Sequence, residues 1–344
     1  MVLMVVVAAS CAGEAKQAAQ DLLSGGNSWS AKKEYDKAIQ DFDEAIRLDP
    51  KNARAFNNRG SAWSGKQEYD KAIQDFDEAI RLDHRYALAF YNRGVAWIGK
   101  QEYDKAIRDY DEAIRLNPKY APAFYNRGVA WGAKQEYDKA IQDFDEAILL
   151  DPKLAVAFFS RGLARGAKQE YDKAIQDYDE AIRLNPKYAP AHFYRSVAQL
   201  LMRRPQVAGG FQAVLDLEGW KGSNAPTAVI LGHLAARHAR DEASAKRFLN
   251  DSAGKLDEAW PYPAVKFLRG EIDEPALLKL ATDDDKRAEA RCYLGLDHAL
   301  KGHKDEALAH FRWVKEHGNA KFIQYLIALA ELDRLERSPE GSKR

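Results

Sequence analysis

The string EYDKAI occurs at residues 34–39, 68–73, 102–107, 136–141 and 170–175, and DEAI follows in step from residues 43, 77, 111, 145 and 179. The spacing is 34 residues every time. A chain with an internal period of about 20 to 50 residues stacks copies of one supersecondary unit, because a single copy cannot bury its apolar face alone. With Gly60 at position 8, the repeats run 19–52, 53–86, 87–120, 121–154 and 155–188. Gly26, Gly60, Gly94, Gly128 and Gly162 share position 8, and Phe42, Phe76, Tyr110, Phe144 and Tyr178 share position 24. Ala38, Ala72, Ala106, Ala140 and Ala174 fall at position 20, with Ala45, Ala79, Ala113, Ala147 and Ala181 at position 27. Small residues let two helix backbones approach, and a large ring fills the space between neighbours.

Each unit therefore reads as helix A, a turn, then helix B. In the second repeat, Ala53 to Lys66 is helix A and Tyr69 to Leu82 is helix B. Pro50, Pro118, Pro152 and Pro186 mark the stops after helix B. Period, small residues and aromatics together resemble the tetratricopeptide repeat. The expected fold is all-α: a tetratricopeptide-repeat helical solenoid, a superhelix of helix-turn-helix pairs. Lys71 with Asp75, and Asp77 with Arg81, are four residues apart and are expected to pair on a solvated helix-B face.

Residues 189–218 read as a degenerate sixth repeat, with Pro205 opening its helix B. The segment Gly219 to Asn224 is a loop, and 219–287 reads as an irregular helical, repeat-like region. Helices are expected at 225–250 as a pair, from Pro261 to Leu268, and from Glu274 to Ala281. Residues 288–344 hold a final repeat, with Ala307, Phe311 and Val314 in register, then a capping helix and polar tail. The cap is expected to turn Phe322, Leu326, Leu329 and Leu332 onto the open end.

The segments WPYPAVKFLRGEIDEPALLKLA at 260–281, CYLGLDHALKGHKDEALAHFRWV at 292–314 and YLIALAEL at 325–332 resemble the new lipoprotein I family of bacterial outer-membrane repeat proteins. That resemblance covers about the last hundred residues well and the middle only generically. It implies a lipid-anchored, homodimeric scaffold that presents murein hydrolases to a periplasmic protease and to one another. Residues 1–18 fit it. Met1 to Ser10 is a short apolar run ending in small residues, and Cys11 follows, resembling a bacterial lipoprotein signal. The expectation is lipidation at Cys11, the sole membrane attachment, on a protein facing the periplasm. The alternative is a soluble cytosolic adaptor or co-chaperone, in which residues 1–11 simply begin the first helix.

Partner binding is expected on helix A, whose positions 2, 5, 6, 9 and 13 share a face. Position 6 carries Asn58, Asn92 and Asn126, and position 5 carries Tyr91, Tyr125, Phe159 and Phe193. Asparagine amides can pair with any peptide backbone, and aromatics supply contact area. Arg54, at position 2, completes the expected peptide groove. The competing reading is that these asparagines and aromatics only pack repeats together. Arg59, Arg93, Arg127, Arg161 and Arg195 at position 7 either grip a ligand carboxylate or bridge to helix-B acids, which spares an unpaired guanidinium. Trp29, Trp63, Trp97 and Trp131 at position 11 are expected in the core. The carboxylate clamp of chaperone-binding repeats is incomplete, because position 2 runs Arg54, Leu88, Pro122, Val156 and position 6 carries no Arg.

Chemistry is not expected. Lys plus Arg and Asp plus Glu are each 52, giving zero net charge and no electrostatic footprint for nucleic acid. The eight histidines make no zinc spacing, and Cys11 and Cys292 make no disulfide framework. The paired acids of helix B recur five times, whereas a catalytic pair needs one special environment. No catalytic residue, metal or cofactor is expected; an enzyme with an unrecognised site in 219–290 is the remote alternative.

Overall fold

The computed structural model describes residues 2–204, 207–320 and 322–337, with side chains from Glu14 onward. Among them are nineteen helices and no strand. They fall into two compact units, Met1–Lys168 and Gln169–Arg344. Unit 1 contains α1 Val2–Ala31, α2 Tyr35–Leu48, α3 Ala53–Gly65, α4 Tyr69–Leu82, α5 Ala87–Gly99, α6 Tyr103–Leu116, α7 Ala121–Ala133, α8 Tyr137–Leu150 and α9 Ala155–Ala167. Unit 2 contains α10 Tyr171–Leu184, α11 Ala189–Leu201, α12 Ala208–Glu218, α13 Ala225–His238, α14 Glu242–Asp251, α15 Tyr262–Leu268, α16 Glu274–Leu280, α17 Asp284–Lys301, α18 Lys304–His317 and α19 Ile323–Arg337. Within each unit consecutive helices pack as pairs, each pair on the next, as a tetratricopeptide-type solenoid.

The helix-B sequence explains its own burial. In YDKAIQDFDEAIRL, the residues Ala38, Ile39, Phe42 and Ala45 lie on one stripe and are buried. The ring at position 24 enters the groove left by the glycine at position 8. A Cβ built on Gly60 would stand 2.8 Å from the Phe76 ring, and one on Gly94 would stand 2.6 Å from the Tyr110 ring. Unit 2 keeps the device in its less regular pairs: Gly232 faces Phe248, and Gly295 faces Phe311.

The A–B turns share one geometry. Gln67 has φ 62°, its N–H donates to Ser64 O at 2.9 Å, and the Glu68 N–H donates to Trp63 O at 2.9 Å. This is the doubly bonded helix stop that normally takes glycine at the left-handed position. Lys33, Gln101 and Gln135 repeat it, and Gln169 has the same positive φ.

Position 24 is not phenylalanine throughout. Tyr110 is fully buried where repeats 19–52, 53–86 and 121–154 have phenylalanine, and its hydroxyl has no hydrogen-bond partner among the described residues. A sealed, unpaired hydroxyl costs about 1–3 kcal/mol. Tyr110→Phe is therefore expected to raise stability by about 1 kcal/mol or more, read as a higher denaturant midpoint with an unchanged slope.

In unit 2, α11, α12, α13, α14, α17 and α18 surround one apolar cluster that includes Phe193, Phe211, Leu231, Phe248, Leu294 and Phe311. Asp241, Asp273 and Asp283 cap α14, α16 and α17 by accepting from the backbone three residues on. The closing helix α19 differs from its expected orientation. It buries Ile327, Ala328, Glu331 and Leu332, while Leu326 and Leu329 are half-buried and Phe322 is 47% exposed. Both arcs of this helix are apolar, so spacing alone does not choose between them. Arg203 to Glu331 at 3.1 Å and Arg334 Nη2 to Leu201 O at 3.2 Å choose it by tying α19 back onto the end of α11. Pro205 and the polar tail beyond Arg337 lie outside the described residues.

Candidate functional site

The expected groove residues of unit 1 do lie together on the helix-A face, but they are engaged with one another. Asn92 Nδ2 donates to Asn57 Oδ1 at 2.9 Å, and Asn126 Nδ2 donates to the Tyr91 hydroxyl at 2.8 Å. Tyr125 OH and Ser160 Oγ meet at 3.5 Å. Asn58 donates to Asn27 at 2.8 Å and accepts from Asn57 at 3.1 Å. Position 5 of one repeat thus holds position 6 of the next. Asn57, only 2% exposed, depends on these bonds for its own amide. Among the described residues, the Oδ1 atoms of Asn92 and Asn126 accept nothing and still face the helix-A surface. These amides staple neighbouring repeats to one another.

Of the other expected groove residues, Arg54 is exposed. Phe193 is 4% exposed, with its ring edge-on to Phe211 at 5.9 Å and to Tyr194 at 5.5 Å, so it is core of unit 2 and no part of a surface. The same position is half-buried at Tyr91, Tyr125 and Phe159, and at Phe193 the helices α12 and α13 close over it. Phe159 is half-buried, and the side chain of Cys11 lies outside the described residues. The apolar area left open on the face comes from positions 2 and 9. Leu88 is 39% exposed and Val95 is 38% exposed. Pro122 is exposed at the next position 2, and Val129 is half-buried at the next position 9. The sequence signal for this strip is the apolar run Leu88, Pro122, Val156 at position 2.

The arginine ladder bridges acids. Arg59 binds Asp75 in a two-point fork at 2.6 and 2.8 Å and also reaches Asp43 of the preceding repeat. Arg93 grips Asp109 and Asp77, and Arg127 grips Asp143 and Asp111, in the same way. Three acids at position 23, Asp75, Asp109 and Asp143, are 5–6% exposed. Burial pushes their carboxyls above the ordinary value, and the neighbouring guanidinium pulls them back. The expected surface pairs Lys71–Asp75 and Asp77–Arg81 are accordingly not formed. A planar guanidinium outcompetes lysine for Asp75, Arg81 turns to Glu78, and Lys71 turns to Glu68. The tryptophans at position 11 are half-buried, not core. Lys71 stands 4.5 Å from the Trp63 ring centre and Lys105 stands 4.4 Å from Trp97.

One cluster in unit 2 has ligand chemistry that no sequence spacing announced. Glu274 on α16 meets His298 Nε2 on α17 at 3.0 Å and His310 Nε2 on α18 at 3.2 Å. However, Arg291 Nη1 lies 3.3 Å from His310 Nδ1. A guanidinium can only donate, so Nδ1 accepts and Nε2 carries the ring hydrogen that Glu274 receives. With no lone pair at Nε2, the arrangement is a hydrogen-bonded clasp of three helices. Burial holds His310 below its ordinary value, in keeping with a neutral ring.

Residues 53–86, 87–120, 121–154 and 155–188 each match the family model for the tetratricopeptide repeat, and residues 26–63 match a second model for the same repeat. No curated protein matches the chain. Among solved structures, MamA is similar at 29% identity, covering 48% of this chain and 96% of its own, with a TM-score of 0.44. YrrB, described as a repeat protein with an unusual peptide-binding site, is similar at 24% identity, covering 54% and 96%, with a TM-score of 0.45. A tetratricopeptide repeat protein from Parabacteroides merdae is similar at 18% identity, covering 73% and 97%, with a TM-score of 0.52. The last bears on the fold alone.

Proposed function

We propose, from the premise that residues 26–188 are tetratricopeptide repeats, that this protein holds other polypeptides on the helix-A face of unit 1 and carries out no reaction itself. One observation carries the reading: Leu88 and Val95 stay 39% and 38% exposed beside amide oxygens that accept no internal bond. Apolar area with unfilled acceptors suits an extended peptide, whose side chains take the strip and whose N–H groups take the amides.

The envelope part of the proposal rests on sequence. Residues 1–11 resemble a lipoprotein signal, and the segments within 260–332 resemble the new lipoprotein I family. On that reading Cys11 carries a lipid, the protein is a dimer facing the periplasm, and its partners are a periplasmic protease and murein hydrolases. The five regular repeats of 19–188 supply the partner face, and 189–218, 219–287 and 288–344 complete the scaffold.

The test is capture of envelope proteins by wild type and by Leu88→Glu/Val95→Glu, two exposed sites whose change leaves the repeat staples intact. A protease or cell-wall hydrolase retained by wild type and reduced about tenfold in the variant supports the reading, since about 1.4 kcal/mol separates the two. Equal recovery sinks the helix-A face. Palmitate label that survives Cys11→Ala, or that is absent from wild type, sinks the lipid anchor.

A further inference from the structure

In unit 2 a cavity of about 210 Å³ opens beside the first turn of α17, walled by Trp260, Phe322 and Tyr325 and edged by Asp283, Asp285 and Glu289. The Glu289 carboxylate in this lining is held by three neutral donors. Trp260 Nε1 donates to Oε2 at 2.6 Å; Tyr293 OH and Gln324 Nε2 each donate to Oε1 at 2.7 Å. A carboxylate has about four acceptor sites, so Oε1 is filled and Oε2 keeps one. Among the described residues Glu289 forms no ion pair. Among the described residues of the lining, the ammonium is Lys286 Nζ, which is taken by Asp283 at 2.8 Å and Thr282 Oγ1 at 3.1 Å.

We propose that this cavity receives the guanidinium of an arginine side chain from a partner polypeptide, seated between the aromatic walls and bonded to Glu289 Oε2. Several features select that occupant. Among the described residues of the lining, three carboxylates face one ammonium that is already paired, which favours a cation over an anion. A purely apolar group would cover Glu289 without offering it a counter-charge, which is costly. The exposed ring of Phe322 at the mouth offers a face to a planar cation. The volume admits a side chain and excludes a stretch of backbone. This site is separate from the helix-A face of unit 1 and stands whether or not peptides bind there.

The experiment titrates the full chain with N-acetyl-arginine N-methylamide, with its uncharged citrulline counterpart, and with N-acetyl-glutamate N-methylamide, followed by calorimetry. The arginine probe is expected to bind at least about tenfold tighter than citrulline, and the glutamate probe not at all. Phe322→Ala, an exposed site, is expected to weaken the arginine probe about fivefold. Glu289→Gln is expected to erase the preference for arginine over citrulline. Equal binding of arginine and citrulline, no binding of arginine, or binding of glutamate overturns the proposal. So does arginine affinity unchanged in Phe322→Ala. Circular dichroism checks that each variant folds; if Glu289→Gln does not, Asp285→Asn takes its place, with a loss of about threefold expected and an unchanged affinity counting against the site.

Discussion

Arg93→Ala is expected to cost about 3–5 kcal/mol of stability, the loss seen when one member of a buried ion pair is removed. The residue holds Asp109 in a two-point fork at 2.6 and 2.8 Å, and Asp109 is 6% exposed. Without the guanidinium, that carboxylate stays buried with its charge unmatched. Its other anchor, Asp77 of the preceding repeat, is more than half exposed and can turn to water. The damage should therefore centre on Asp109. Arg93→Met/Asp109→Leu is the control: replacing both members with apolar groups should recover most of the loss.

The pH dependence has a definite sign. Burial already pushes the Asp109 carboxyl above its ordinary value, and Arg93 is what pulls it back. Removing Arg93 raises it further. The folded variant then binds a proton more readily than its unfolded chain does. Stability from such a group is greatest below the unfolded value and is lost as pH rises through the folded value. The gap between wild type and Arg93→Ala should thus be widest near neutral pH and narrow on acidification. Denaturant melts at pH 7 and pH 4.5 read it directly. A gap that widens in acid would mean that Asp109 is not the group left stranded.

Why some of this was legible and some not follows from the range of the contacts. Helix boundaries depend on residues three and four apart, so Tyr69–Leu82 appears as read and Ala53–Gly65 within one residue. The arginine ladder was half legible, because a buried guanidinium must find an acid and helix B supplies several. Which acid it takes depends on stagger: Asp109 lies 16 residues after Arg93 and Asp77 lies 16 before. The bonds Asn57–Asn92 and Tyr91–Asn126 span 35 residues and need the offset between neighbouring pairs, which a period of 34 does not specify. Phe193 was misread because the helices that cover it belong to an irregular stretch. The clasp of Glu274, His298 and His310 and the cavity over Glu289 draw on segments with no shared spacing, so only the fold brings them together.

Phe76→Ala is expected to lose about 3–5 kcal/mol, and its partner glycine makes the result diagnostic. Phe76 is fully buried and its ring passes over Gly60, where an added Cβ would sit 2.8 Å from it. Truncating the ring opens a cavity bounded by Ala72 and Ala96, small neighbours that cannot swell to fill it. Gly60→Ala alone should cost about 1–3 kcal/mol by overpacking, offset in part by alanine's better helix propensity. In the double variant the new methyl meets no ring, so the overpacking term vanishes and only the propensity gain remains. The double should thus be no less stable than Phe76→Ala, with a coupling energy of about 1–3 kcal/mol in the cycle. Additive losses would mean that position 8 is small for another reason, such as the Ala72 carbonyl 3.1 Å from the same Cβ. Strong coupling would make the glycine and ring a single unit of fit. The same cycle at Gly295 and Phe311, where the Cβ would stand 2.5 Å from the ring, should then couple as strongly in unit 2.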